Sequence, residues 1–527
     1  MSGSDKKSGD SWSPEIEELH LRESMAAKMG GPERIERQRA AGRLTVRERI
    51  DGLFDPGTFH ETGAAVGVPQ YDGKRLVDLR ASNFIFGTGR VNGRKIVVGA
   101  DDFSIRGGAS DAAIGRKAPY AEHMALEFRL PMVRLIDGTG GGGSVKQLEM
   151  MGSTYVPANP AMDLMVALLE TVPVVSACMG SVAGLGAARV VFSHFSVMPR
   201  KTAQLFVAGP PVVMPATGKW IDKEDLGGSH IHTRGSGAVD NEADSEEDAF
   251  EQIRRFLSYM PDSVYEVPPV IEAIDPPDRR EEELLSIIPR NKRKTYPVRR
   301  IIDLVMDRDS FFEIGARWGR SAVTGLARLA GRPVGLIAND PRFLGGAIDA
   351  QAADKMIRLI DMCDTFHLPI VNLVDNPGFW IGLAGEKQGT IRRGGRWIYS
   401  VYQATVPWCS IILRKVFGVA GAAHGNHTRL NLRYAWPSGE WGSLPIEGGV
   451  MAAYRREIEA ADDPDALRAE IEERLTDVTS PFRTAEIFGI EEIIDPRDTR
   501  PLLCEWVETA YRLLPSELGI KRRGMRP

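Results

Sequence analysis

Gly184-Leu185 and Gly418-Val419 occupy matching settings. The first follows the apolar run "VPVVSACMGSVA" and the second follows "VPWCSIILRKVF". A glycine after a buried strand lets the backbone approach a ligand closely. Backbone N–H groups at a helix start can donate to an oxygen that gains charge during a reaction. Two such places could hold two enolate-like oxygens, although tight strand–helix packing would use glycine equally well. The side chains offer less. There is no GxSxG, no HExxH, no P-loop and no Rossmann glycine triplet after a strand. His230 and His232 in "GGSHIHTRGSG", and His424 and His427 in "GAAHGNH", lack the further ligands a metal needs, so no metal is expected.

The elements that must position these glycines are written twice. Slid forward by 238 positions, residues 87–140 fall on 325–378 without a gap. Gly87/Gly325, Gly93/Gly331, Asp102/Asp340, Gly107/Gly345, Gly108/Gly346, Lys117/Lys355, Pro131/Pro369 and Asp137/Asp375 then coincide. Further blocks repeat in the same order. "RIDGLFDPGTFHE" (49–61) faces "IIDLVMDRDSFFE" (301–313), and "ETVPVVSACMGSVAG" (170–184) faces "ATVPWCSIILRKVFG" (404–418). A unit this long is a duplicated domain rather than a solenoid repeat. Within it "VNGRK" predicts a hairpin. The stretches 111–128 and "PAMDLMVALLE" predict helices, and "LPMVRLID" and "VPVVSACMG" predict buried strands. The alternation predicts an α/β fold.

Length and composition agree with two sizeable cores: 527 residues, 43% hydrophobic and 26% charged. A net charge of −5 gives no reason to expect nucleic-acid binding. Four cysteines without CxxC spacing suit a reducing cytoplasm. The longest uncharged stretch, 171–188, contains Pro173 and three glycines and makes a poor membrane span. The expected domains are a disordered tail (1–13), an N-terminal domain (14–268), a proline-rich linker (269–296) and a C-terminal domain (297–527). Arg34, Arg37, Arg39, Arg43, Arg47 and Arg49 cluster in one charge-rich stretch. They suit either a solvated helix face or attraction for a polyphosphate.

Several motifs resemble the carboxyltransferase (β) subunits of biotin-dependent acyl-CoA carboxylases, with the propionyl-CoA carboxylase branch nearest. They include "AAGRLTVRERIDGLFDPGTFHE", "DDFSIRGGAS", "EDLGGSHIHTRGSGAVD", "VDNPGFWIG", "IRRGGRWIYSVYQATVP" and "YAWPSGEWG". The resemblance spans about residues 20 to 520. It implies two duplicated crotonase-like ββα superhelix domains and a homo-oligomer, usually a hexamer. It also implies an active site between the N half of one subunit and the C half of another. The implied reaction moves a carboxyl group from carboxybiotin, carried by a biotin carboxylase and biotin carboxyl carrier partner, to an acyl-CoA enolate. Gly184 and Leu185 would serve the thioester oxygen, and Gly418 and Val419 the ureido oxygen. Gly107, Gly108, Ala109, Gly141, Gly142, Gly345, Gly346, Ala347, Phe379 and Ala422 would line the CoA and biotin sites.

The chain departs from the family pattern in places. Gly-Leu and Gly-Val replace the usual Gly-Gly pairs, Ala422 stands where propionyl-specific relatives carry an acidic residue, and "GTGGGGS" replaces "DSGGAR". These changes weaken propionyl-CoA as the expected substrate. With no Met-Lys-Met setting and no ATP-grasp loop, the chain is expected to rely on a partner for biotin and ATP. The alternatives are a transcarboxylase or decarboxylase subunit, or a non-catalytic β subunit of a mixed complex.

Overall fold

Apolar runs that alternate with amphipathic ones build two sheet-and-helix units. The computed structural model describes residues 11–109, 114–138, 149, 152–154, 156, 161–426, 428–522 and 524–526. The expected site residues Gly141 and Gly142 lie outside the described residues. One unit comprises residues 1–232 with 242–254, and the other 233–241 with 255–527.

The first unit contains strands β1 (His60–Glu61), β2 (Gly67–Asp72), β3 (Arg75–Ala81), β4 (Phe84–Val91), β5 (Arg94–Asp101) and β6 (Met132–Ile136). They continue as β7 (Val174–Cys178), β8 (Ser181–Ala183), β9 (Phe195–Pro199), β10 (Gln204–Phe206) and β11 (Asn241–Ala243). Its main sheet runs β1-β4-β5-β6-β7-β9-β11, while β2 pairs β3 and β8 pairs β10. The second unit contains β12 (Phe312–Ile314), β13 (Ala322–Leu329), β14 (Arg332–Asn339) and β15 (Ile370–Asn376). It ends with β16 (Trp408–Phe417), β17 (Leu432–Ala435), β18 (Glu440–Gly442) and β19 (Glu492–Ile493). Its sheet runs β12-β13-β14-β15-β16-β17-β19, with β18 on β16.

The duplication holds at the level of strand register. β4 pairs β5 so that Val91 faces Arg94, and β13 pairs β14 so that Leu329 faces Arg332. Glu61 faces Gly87 as Glu313 faces Gly325. Val97, Met132 and Val174 align across β5, β6 and β7, as Gly335, Ile370 and Trp408 do across β14, β15 and β16. The central parallel strands are buried throughout, which explains their unbroken apolar sequence.

Hairpin chemistry repeats as well. Asn92 and Gly93 have left-handed φ of 49° and 80°, and Ala330 and Gly331 have 47° and 76°. The Asp55 carboxylate accepts both turn N–H groups in the first unit, at 3.0 and 2.8 Å. Asp307 does the same in the second, at 3.1 and 2.8 Å. This anchor lets an alanine occupy a conformation that normally favours asparagine or glycine. No helix among the described residues is long and apolar enough to cross a membrane.

Candidate active site

The two glycines singled out in the sequence begin helices at corresponding ends of the repeated strands. Gly184 precedes the helix Leu185–Val191 with φ 59° and ψ −126°. Gly418 opens the helix Gly418–Ala422 with φ 66°. Short parallel pairings fix both approaches. β8 pairs Ser181–Ala183 with Gln204–Phe206, and the end of β16 pairs Lys415–Phe417 with Glu440–Gly442. Such φ values favour glycine, so the backbone bend itself requires the residue type. Gly184 is exposed, Leu185 and Gly418 are half-buried, and Val419 is 67% exposed. The bends therefore lie at accessible surfaces of their units.

Gly107, Gly108 and Ala109, and their counterparts Gly345, Gly346 and Ala347, form a turn against the carbonyls of Asp137 and Asp375, at the ends of β6 and β15. Three successive left-handed residues make the turn: Arg106, Gly107 and Gly108, or Leu344, Gly345 and Gly346. The N–H groups of Gly108 and Ala109 donate to Ile105 O (3.2 Å) and Arg106 O (3.3 Å). Those of Gly346 and Ala347 donate to Phe343 O (2.9 Å) and Leu344 O (3.1 Å). These amides close their own turn. A side chain at Gly108 or Gly346 would collide with the carbonyl of Asp137 or Asp375. Phe379 is half-buried, packs edge-on to Trp397, and covers Gly394 so closely that a Cβ there would strike its ring. Ala422 is exposed on the Gly418 helix.

The two aspartates are wholly buried, and each requires a counter-charge. Arg49 reaches Asp137 at 2.7 Å and also pairs with Glu246 at 2.7 Å. Arg414 reaches Asp375 at 3.0 Å, and the Tyr296 hydroxyl donates to the same carboxylate at 2.9 Å. The position equivalent to Arg414 is Gly180, where a side chain would collide with Asp137 Oδ1. The position equivalent to Arg49 is Ile301, fully buried in the second core. The duplicated halves thus keep the same aspartate and draw its cation from different elements.

Beside Gly418 lies a cavity of about 240 Å³, lined in part by Val416, Ala422, His424, Trp441 and Ile490. Burial pushes the His424 imidazole down to about 3. Its Nδ1 lies 3.0 Å from Asn372 Nδ2 and its Nε2 lies 2.8 Å from Asn376 Nδ2. A neutral ring carries one N–H, so one of the two amides must present its oxygen. Asn372 Oδ1, otherwise without a partner among the described residues, is the one that turning supplies. His424 is therefore a buried brace between strand and helix. His232 Nε2 donates to Leu205 O at 2.8 Å. Among the described residues no group of three or more His, Cys, Asp or Glu is placed to hold a metal.

The first unit has a cationic cavity of about 230 Å³, lined by Arg34, Arg37, Gln38, Arg43, Phe103, Ser104, Arg106 and Gly107. Arg43 lies over the Phe103 ring at 4.7 Å. Gln38 is 4% exposed; its Nε2 donates to Leu44 O, while its Oε1 has no protein partner among the described residues. The arginine cluster thus divides. Arg49 is structural, Arg39 and Arg47 pair with Glu48 and Glu61, and Arg34, Arg37 and Arg43 line the cavity, with Arg37 also pairing with Glu33 at 3.1 Å and Arg43 reaching Asp137 at 3.7 Å. Sequence reasoning missed Gln38, Phe103 and Arg106. The signal available was Arg106 directly before the Gly-Gly turn.

Residues 37–521 match the protein family described as Carboxyl transferase domain. The propionyl-CoA carboxylase carboxyltransferase subunit of Haloferax mediterranei is 36% identical, over 92% of this chain and 94% of that protein. The methylmalonyl-CoA decarboxylase subunit alpha of Veillonella parvula is 31% identical over the same shares. A transcarboxylase 12S structure, described as a hexamer assembly with methylmalonyl-CoA and methylmalonic acid bound, has a TM-score of 0.85. It is 29% identical and covers 99% of both chains. With its two duplicated crotonase-like units, the chain belongs to the carboxyl transferase family and is a carboxyltransferase of the kind found in acyl-CoA carboxylases.

Proposed function

We propose that the chain transfers a carboxyl group from carboxybiotin, held on a partner's carrier domain, to the α-carbon (or vinylogous γ-carbon) of an acyl-CoA. The observation that carries this reading is the repeated glycine bend at Gly184 and Gly418, one per half, at register-equivalent strand ends. Leu185 N–H, with Gly184, holds the thioester oxygen as it gains enolate charge. Val419 N–H, with Gly418, holds the ureido oxygen. Carboxybiotin supplies the activated carboxyl group and, once that has left, a base for the α-proton. The chain therefore needs positioned donors more than an acid–base side chain. This agrees with buried cysteines whose thiols burial pushes up.

The cationic cavity supports CoA as the handle. Arg34, Arg37, Arg43 and Arg106 suit phosphates, and Gln38 Oε1 offers an acceptor to an amino group. Apolar side chains exposed on each unit support assembly. Val207, Val212, Met214 and Trp220 are exposed on the first, and Ile381, Leu383, Ile391 and Leu430 on the second. A homo-hexamer is proposed, as in the transcarboxylase 12S structure, together with a biotin carboxylase and carrier subunit in the cytoplasm.

The test is carboxylation of acyl-CoAs from labelled bicarbonate, with the cognate biotin subunit and ATP. Absence of both fixation and free-biotin-dependent decarboxylation of a malonyl-type CoA would make this a non-catalytic subunit. A second reading, decarboxylation as the net direction, is favoured by the likeness to the Veillonella parvula protein. It uses the same half-reaction in reverse.

A further inference from the structure

The helix Leu185–Val191 carries the proposed thioester donor at its start, and a buried ion pair holds its far end. Arg134 projects from β6 and is fully buried. Its guanidinium grips Glu122 in a fork, with Nε to Oε1 at 2.9 Å and Nη2 to Oε2 at 2.7 Å. Glu122 is itself buried, on the helix Lys117–Phe128. The remaining nitrogen, Nη1, donates to Phe192 O at 2.6 Å and, at 3.4 Å, to Arg189 O. Ser176 Oγ donates to the same Arg189 O at 3.0 Å. Two helical hydrogen bonds connect this end to the bend. Phe192 N–H donates to Ala188 O, and Ala188 N–H donates to Gly184 O, each at 3.0 Å.

The second half repeats the arrangement with other residue types. Arg134 faces Ser176 across β6 and β7, and Asn372 faces Ser410 across β15 and β16. Ser410 Oγ donates to His424 O at 2.6 Å, and the Asn372 amide meets the His424 ring at 3.0 Å. His424 lies just past the Gly418 bend, as Arg189 lies just past the Gly184 bend. Each half therefore sets a polar side chain and a serine, in register on neighbouring strands, against the chain that follows its glycine bend. A buried ion pair is a poor source of stability, because apolar residues of similar volume serve as well or better. A fully satisfied polar network does fix one arrangement of the groups it joins.

We propose that Arg134, oriented by Glu122, is a positioning residue for the Leu185 N–H. Through the carbonyls of Phe192 and Arg189 it fixes the short helix, and so the place where its first amide meets the thioester oxygen. This inference rests on the proposed oxyanion role of Leu185. Such a donor needs its productive place to within about 0.5 Å, and a shift of about 1 Å can cost about a hundredfold in rate.

The experiment replaces the pair together, Glu122→Met with Arg134→Met, in the full chain assayed with its biotin subunit. It measures kcat, KM for acyl-CoA and the midpoint of chemical denaturation. The replacement is made in the wild type, in Leu185→Pro, which lacks the N–H, and in Leu185→Ala, which keeps it. In the wild type and in Leu185→Ala, kcat is expected to fall about tenfold to a hundredfold. KM should stay unchanged, because the donor acts on the transition state alone. The denaturation midpoint should match or exceed that of the parent chain. In Leu185→Pro the replacement should cost no further rate, because the group it positions is already gone. Arg134→Lys keeps a cation beside Glu122 but loses the fork. It is read in the same way if the double variant folds poorly, with kcat expected to fall about tenfold. An unchanged kcat in the folded variant overturns the inference, as does an equal further loss in Leu185→Pro and Leu185→Ala. Equal rates for Leu185→Pro and Leu185→Ala with the ion pair intact remove the oxyanion role itself, and this inference with it.

Discussion

Replacing Leu185 with proline removes one backbone N–H and little else. Leu185 is the first residue of its helix, and the first amide to reach back four residues is Ala188 N, which bonds Gly184 O at 3.0 Å. The Leu185 N–H therefore takes no part in the helix ladder, and proline is well accepted at this position. The half-buried leucine side chain contributes on the order of 1 kcal/mol of apolar burial. Leu185→Ala loses that contribution and keeps the N–H. If the N–H stabilises the thioester oxyanion, Leu185→Pro should turn over about 10²–10³ times more slowly than Leu185→Ala, equivalent to about 2.7–4 kcal/mol. Both should melt within a few degrees of each other. The assay is acyl-CoA carboxylation with the partner subunit, with thermal unfolding on the same preparations. Equal rates for the two variants would refute the oxyanion role. Valine at Gly184 or Gly418 is a poorer probe, because φ of 59° and 66° strain any β-branched residue there.

Three further outcomes are expected. Arg414→Met leaves the fully buried Asp375 without its cation, and Arg49→Met leaves Asp137 only the more distant Arg43 at 3.7 Å; each should cost about 3–5 kcal/mol in chemical denaturation. Adding Asp137→Asn or Asp375→Asn to the matching arginine variant should recover part of the loss. His424 protonates near 6.5 when unfolded and near 3 when folded, because burial disfavours its charged form. The unfolded chain therefore binds the proton first, and stability falls as pH drops from about 6.5 to about 3, by roughly 5 kcal/mol in all. Denaturation of His424→Gln across that window should show a flatter slope. Arg106→Gln should raise KM for acyl-CoA about tenfold or more and leave pantetheine thioesters little changed. Equal effects on both would remove the cationic cavity from CoA binding.

The sequence by itself carried the duplication, the strand order and the two glycine bends. These are local properties: apolar runs mark strands, Asn-Gly marks a turn, and identities at a constant spacing mark equivalent positions. Register was left to the structure: Glu61 faces Gly87 and Glu313 faces Gly325, although 26 residues separate the first pair and 12 the second. The tertiary structure decided what depends on distance between residues far apart in the chain. Six clustered arginines look alike in sequence, yet Arg49 is buried 88 positions from Asp137 while Arg34 and Arg37 line a cavity. Asp137 and Asp375 occupy identical sequence settings, but one takes its cation from a helix and the other from a strand. His424, to which the sequence assigned no ligand role, takes its function as a brace only once Asn372 and Asn376 close around it. A buried charge or imidazole is governed by the few groups within about 4 Å in a low-dielectric interior. Only the folded chain brings those groups there.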